Sequence, residues 1–123
     1  MQHKAKLYII IVGLDPQDGT RHILSMNKDR FEVPVQDVNE DDNIEHLVLS
    51  TCKYFVSLDP EWVNPKCSYS MMGEVYGELD LHIFYHCIIP LDTKLLHNAA
   101  FVPVVMLDTE RDESILKTLQ END

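Results

Sequence analysis

The order of hydrophobic patterns predicts an α+β fold, and three observations carry that prediction. Residues 4–14 form a dense apolar run, residues 44–55 repeat apolar side chains at helical spacing, and residues 68–89 look like a long hairpin. A last amphipathic stretch follows a short β-type run near the C-terminus. The resulting order is β-β-β-α-β-β-β-α, with no repeat, low-complexity tract or linker.

Taken in turn, KAKLYIIIVGL (4–14) is rich in Ile, Tyr and Val without alternation, as in a strand covered on both faces. Asp15, Pro16, Asp18 and Gly19 are turn formers, so the chain should return as a second strand over 21–26. Phe31, Val33 and Val35 alternate with Glu32, Pro34 and Gln36 in a third strand, and Pro34 places it at an edge or a bulge. Ile44, Leu47, Val48, Thr51, Cys52 and Phe55 then line one helix face. Asp41 and Asp42 stand at its start, with Asp42 as the expected cap and Glu45 completing the capping-box spacing. The segment from Ser57 to Pro60 ends it. The hairpin is expected to turn at Gly77 and Glu78. Its return strand would send Leu79, Leu81, Ile83, Tyr85, Cys87 and Ile89 to the core, and Asp80, His82, Phe84 and His86 to the other face. FVPVVMLD is a short β-type run, and Ile115, Leu116 and Leu119 mark the inner side of the final helix.

Composition bounds the function. At 123 residues there is room for one domain, spanning 1–123, with enough apolar material (45%) for a core. A net charge of −11 argues against non-specific nucleic-acid binding and against anionic lipid. The three cysteines at wide spacings, without a signal peptide, read as reduced thiols of a cytoplasmic protein. The longest apolar stretch falls far short of the roughly 20 residues that span a bilayer, so no membrane segment is expected.

A strand ending in Phe-Glu-Val-Pro just before a capped helix resembles the Nudix hydrolase family, and residues 31–58 carry the likeness. The family's box reads G-x5-E-x7-R-E-U-x-E-E-x-G-U, with U apolar. Here Gln36 stands at its glycine, Asp42 at its first acid, and Cys52 and Leu58 at its apolar positions. Ser50 and Thr51 occupy the Arg-Glu pair, Tyr54 and Phe55 the Glu-Glu pair, and Ser57 the final glycine. The box is therefore degenerate. The family's glutamates hold Mg²⁺ or Mn²⁺ against a diphosphate, and Tyr and Phe supply no such oxygens. The resemblance implies a Nudix-like mixed sheet sandwich, and it passes no catalytic residue to this chain. Lys28, Asp29 and Arg30 resemble the family's basic segment after the first hairpin.

Each chemical candidate has a plain structural alternative. The run Asn39-Glu40-Asp41-Asp42 with Glu45 is either a relocated metal site or a solvated helix cap. His82 and His86 lie about 13 Å apart along a strand, too far to share an ion, while Asp80 and His82 could act as a pair or line a half-exposed polar face. Phe84 between the histidines suggests a stacking surface. Cys52 lies on the apolar helix face and reads as core. Tyr54, Phe55, Trp62, Tyr69, Met71 and Met72 are either core or a partner patch.

The resulting expectation is a non-catalytic Nudix-fold binding or regulatory protein that recognises a nucleotide-like ligand or a protein partner. Its candidate ligand-binding residues are Lys28, Arg30, Glu32, Glu74 and Phe84, with no cofactor. One alternative is a hydrolase of nucleoside diphosphate-linked substrates, with Mg²⁺ or Mn²⁺ on Asp42, Glu45 and a hairpin acid, Glu74 or Glu78. Another is a structural homo-oligomeric subunit, for example a homodimer.

Overall fold

A computed structural model describes residues 5–39, 41–57 and 65–120. The elements run β1 (Ala5–Leu14), β2 (Arg21–Ser25), β3 (Val35–Val38), α1 (Ile44–Phe55), β4 (Lys66–Val75), β5 (Glu78–Pro90), β6 (Ala100–Pro103) and α2 (Glu113–Gln120), with a short 3-10 turn at Val104–Met106. This is the expected α+β order.

Six strands form one mixed sheet in the order β4-β5-β1-β2-β6, with β3 also paired to β1. β1 runs parallel to β5 over its whole length, from Ala5 opposite Leu81 to Leu14 opposite Pro90. Its other edge is divided: β3 pairs antiparallel with residues 5–8, and β2 with residues 12–14. Between them the Pro34 carbonyl accepts the Ile9 N–H at 3.0 Å.

β1 has no polar face because the sheet is covered on both sides. Leu7, Ile9 and Ile11 pack with Val48, Cys52 and Phe55 of α1. Tyr8, Ile10 and Val12 pack on the opposite side with Ile115 and Leu119 of α2. Burial of these side chains, at about 1.5–3 kcal/mol each, supplies the main drive for folding.

Several expectations change in detail. The third strand starts at Val35: Pro34 still bonds to β1 through its carbonyl, while Glu32 turns back to bond Met26 and close the loop after β2. The hairpin turns at Tyr76 and Gly77, with φ of 51° and 80°, and Val75 faces Glu78. Two positive φ values in a two-residue loop are the primed turn that matches strand twist, and glycine takes that conformation without a Cβ clash. The α1 cap is Asn43, whose Oδ1 accepts the His46 N–H at 3.1 Å. Asp42 instead closes the preceding turn by accepting the Asn39 N–H at 2.8 Å. On β5 the face expected to be polar is core: His82 and Phe84 are fully buried, whereas Leu79 is 82% exposed near the hairpin tip. The Ser57-to-Pro60 stop and Trp62 fall on positions of which 58–64 lie outside the described residues. No helix among the described residues is long and apolar enough to cross a membrane.

Candidate functional site

A groove opens where β2 and β3 part on the edge of β1. The loop between them is drawn tight by Ser25, which is fully buried. Its Oγ accepts the Glu32 N–H at 3.0 Å and lies within hydrogen-bonding distance of the Asn27 and Arg30 carbonyls. The Met26 N–H donates to the Glu32 carbonyl at 2.8 Å. A loop closed this way presents Arg30 and Phe31 beside the exposed side chain of Val35.

The groove has two adjoining chambers that share Met26 and Val35. The larger, about 510 Å³, is lined by Arg30, Phe31, Glu32, Val33, Tyr76 and Arg111 as well. The smaller, about 350 Å³, is bounded by Pro34, Gln36, Ser50, Thr51, Tyr54 and Phe55. Both fall in the size range of roughly 300–1,000 Å³ that small-molecule sites occupy.

Two arginines from distant parts of the chain meet at the larger chamber. Arg30 comes from the loop before β3, and its Nε lies 3.4 Å from Glu32 Oε1. Arg111 comes from the turn before α2, where Asp108 Oδ1 accepts the N–H groups of Glu110 and Arg111 at 2.9 and 3.1 Å. Those backbone donors hold the Asp108 carboxyl below the usual carboxylate range. The Arg111 guanidinium lies 6.0 Å from the centre of the Tyr76 ring, within cation–π reach. Tyr76 is tied down in turn, since its hydroxyl donates to Asp112 Oδ1 at 2.7 Å. Burial, followed by that bond to a carboxylate, pushes the Tyr76 phenol above its ordinary range.

Among the described residues, no charged side chain lines the smaller chamber. Its α1 wall carries Ser50, Thr51 and Tyr54, at positions where the resembling family has Arg and Glu. The Thr51 hydroxyl donates to the Leu47 carbonyl at 2.9 Å and accepts from Gln36 Nε2 at 2.8 Å. Tyr54 is held by a parallel stack on His97, with centroids 3.9 Å apart and planes 6° apart.

Of the residues expected to bind ligand, the groove brings together Arg30 and Glu32. Lys28 is exposed and lines neither chamber, and the same is true of Glu74 on β4. Phe84 is corrected outright: it is fully buried, stacked between Tyr8 (4.6 Å) and Tyr69 (4.7 Å). Because both faces of β5 are covered, the ring between the histidines is core. Asp80 and His82 do not pair either. His82 Nδ1 lies 3.0 Å from the Tyr8 hydroxyl, and its Nε2 is near the carbonyls of Gly73 and Glu78. Burial pushes the Tyr8 phenol up to about 12.

The alternative metal site does not assemble. Among the described residues, no three His, Cys, Asp or Glu side chains gather where they could hold one ion. Asp42 and Glu45 are therefore turn and first-turn residues; Glu40 lies outside the described residues. Of the apolar excess, Phe55 is buried, Tyr69 and Met71 pack against the core, and Met72 is 72% exposed. Sequence reasoning missed Arg111, Tyr76 and Gln36. A Tyr-Gly pair at a hairpin turn was the legible signal for Tyr76; Arg111 sits in an acidic run and gave none.

No protein-family model matches the chain, and neither does any curated protein sequence. Solved structures do match. The chain is similar to the NUDIX domain of Shewanella oneidensis NrtR complexed with ADP ribose, with a TM-score of 0.64 and 10% identity over 100% of this chain and 90% of that one. It is similar to the C. elegans Ap4A hydrolase, with a TM-score of 0.58 and 15% identity over 98% and 95% of the two chains. It is also similar to T. brucei MERS1 in an RNA complex, with a TM-score of 0.61 and 10% identity over 91% of this chain and 55% of that one. At such identities the likeness is one of fold.

Proposed function

We propose that this chain, which has the Nudix fold, is a recognition module for a nucleotide-like anionic ligand that it binds without cleaving. The observation that carries the reading is the groove's chemistry. Arg30 and Arg111 line its larger chamber, and the α1 wall of the smaller one offers Ser50, Thr51 and Tyr54 in place of carboxylates. Two guanidiniums form charge-assisted bonds to phosphate oxygens without needing an ion between them. Cleavage of a diphosphate calls for a metal-bound nucleophile or an equivalent base, and among the described residues the one carboxylate lining the two chambers, Glu32, stands beside Arg30. The similar NrtR domain was solved with ADP ribose, which makes that compound the first probe.

The test is thermal unfolding of the full chain with millimolar ADP ribose in EDTA. A ligand at about 100 times its Kd stabilises by about 2.7 kcal/mol, a clear rise in Tm for a domain of this size. The rise should disappear in a doubly substituted Arg30→Ala, Arg111→Ala chain. No shift in the unsubstituted chain, or an undiminished shift in the double variant, contradicts the reading.

A further inference from the structure

We infer that the smaller chamber is a base pocket that reads an adenine-type edge, through Gln36 with Tyr54 as its stacking wall. This inference rests on the proposed recognition of a nucleotide-like ligand and specifies which part of the ligand enters which chamber.

The argument begins with the direction of two hydrogen bonds. A threonine hydroxyl has one proton, and that of Thr51 is committed to the Leu47 carbonyl at 2.9 Å. Toward Gln36 the hydroxyl therefore offers a lone pair, so the amide must turn its NH₂ to Thr51, as its Nε2 does at 2.8 Å. The Gln36 flip state follows from the network. Its Oε1 accepts no bond from the described residues and is left as an acceptor at the chamber wall. An acceptor fixed in this orientation complements the exocyclic amino group on adenine's edge, the donor that glutamine meets when it reads adenine.

The rest of the chamber suits the same occupant. Among the described residues its lining carries no charged side chain, whereas Met26, Pro34, Val35 and Tyr54 supply apolar and aromatic wall for a flat ring. The Tyr54 ring is held in place by His97 on one face, so little ordering remains when a ligand ring meets the chamber. His97 and Asn98 hold that position with φ of 56° and 63°, left-handed values uncommon outside glycine and tolerated best by Asn and His. The arginines line only the adjoining chamber, which sets the polarity: base against α1, phosphates toward Arg30 and Arg111.

The experiment is calorimetric titration of the full chain in EDTA with ADP, with inosine diphosphate and with inorganic pyrophosphate. Inosine replaces the amino group by a carbonyl, which would face Gln36 Oε1 without a proton between them. ADP should bind at least about tenfold more tightly than inosine diphosphate, whose base would cover the Gln36 acceptor without a donor, and than pyrophosphate, which leaves the chamber unfilled. The preference over inosine diphosphate should collapse in Gln36→Leu, and Tyr54→Ala should weaken ADP while leaving pyrophosphate unchanged. Equal affinities for all three probes overturn the base pocket and leave the anion-binding reading standing. Failure of all three to bind overturns both.

Discussion

Tyr76 holds the far wall of the groove at the scale of single residues. Its hydroxyl donates to Asp112, a buried carboxylate whose other oxygen accepts the Asp108 N–H at 3.1 Å. Tyr76→Phe keeps the ring under Arg111 and deletes the donor, so Asp112 loses a charge-assisted bond inside the protein. We expect a loss of about 2 kcal/mol in urea unfolding, with the midpoint moving and the slope unchanged. A second residue sets a pH dependence. Burial, with Lys66 nearby, holds the His86 imidazole below its usual range. As pH falls, the unfolded chain takes up this proton before the folded one does. The stability linked to His86 is therefore complete above the ordinary value of 6.5 and is lost as pH drops through the lower folded value. Tm should fall below about pH 6.5, and the fall should be shallower in His86→Gln. Identical pH profiles for the two proteins would remove His86 from the account.

Among the elements, α1 and the β4–β5 hairpin show what the sequence made legible and what it hid. The helix was readable because Val48, Thr51, Cys52 and Phe55 keep a single buried face. Its cap was misplaced by one residue, since Asp42 and Asn43 are both good caps and only the backbone path decides between them. Asn43→Ala should accordingly cost about 1 kcal/mol of stability in chemical unfolding, and Asp42→Ala less; the reverse order would restore Asp42 as the cap. β1 could be read as covered on both faces because its apolar run is unbroken. β5 is equally central but carries Asp80, His82 and His86 among its apolar residues, so alternation suggested one wet face. Burial of His82 is made tolerable by Tyr8 and two carbonyls, partners that no local pattern reveals. The same reason hid the groove. Arg30 and Arg111 are 81 positions apart, and only the joint placement of the β2–β3 loop and the turn before α2 brings them to one chamber.

For the molecule as a whole, the −11 charge and the groove pull in opposite directions. An acidic surface repels free anions, so the proposed ligand would depend on close contacts at Arg30 and Arg111 and on the adjoining chamber. The Nudix fold supplies the frame, with two helices covering a mixed sheet, while the α1 positions that face the smaller chamber hold Ser50, Thr51 and Tyr54. The central claim is that such a groove recognises a nucleotide-like ligand and leaves its bonds intact. The most direct measurement is a titration with ADP ribose in EDTA, repeated with Mn²⁺ and followed by chromatography of the recovered ligand. The account predicts saturable binding without metal, at least about tenfold weaker in Arg30→Ala, Arg111→Ala, and ADP ribose recovered unchanged from the Mn²⁺ sample. Binding that requires the metal, or conversion of ADP ribose to AMP and ribose phosphate, would contradict it.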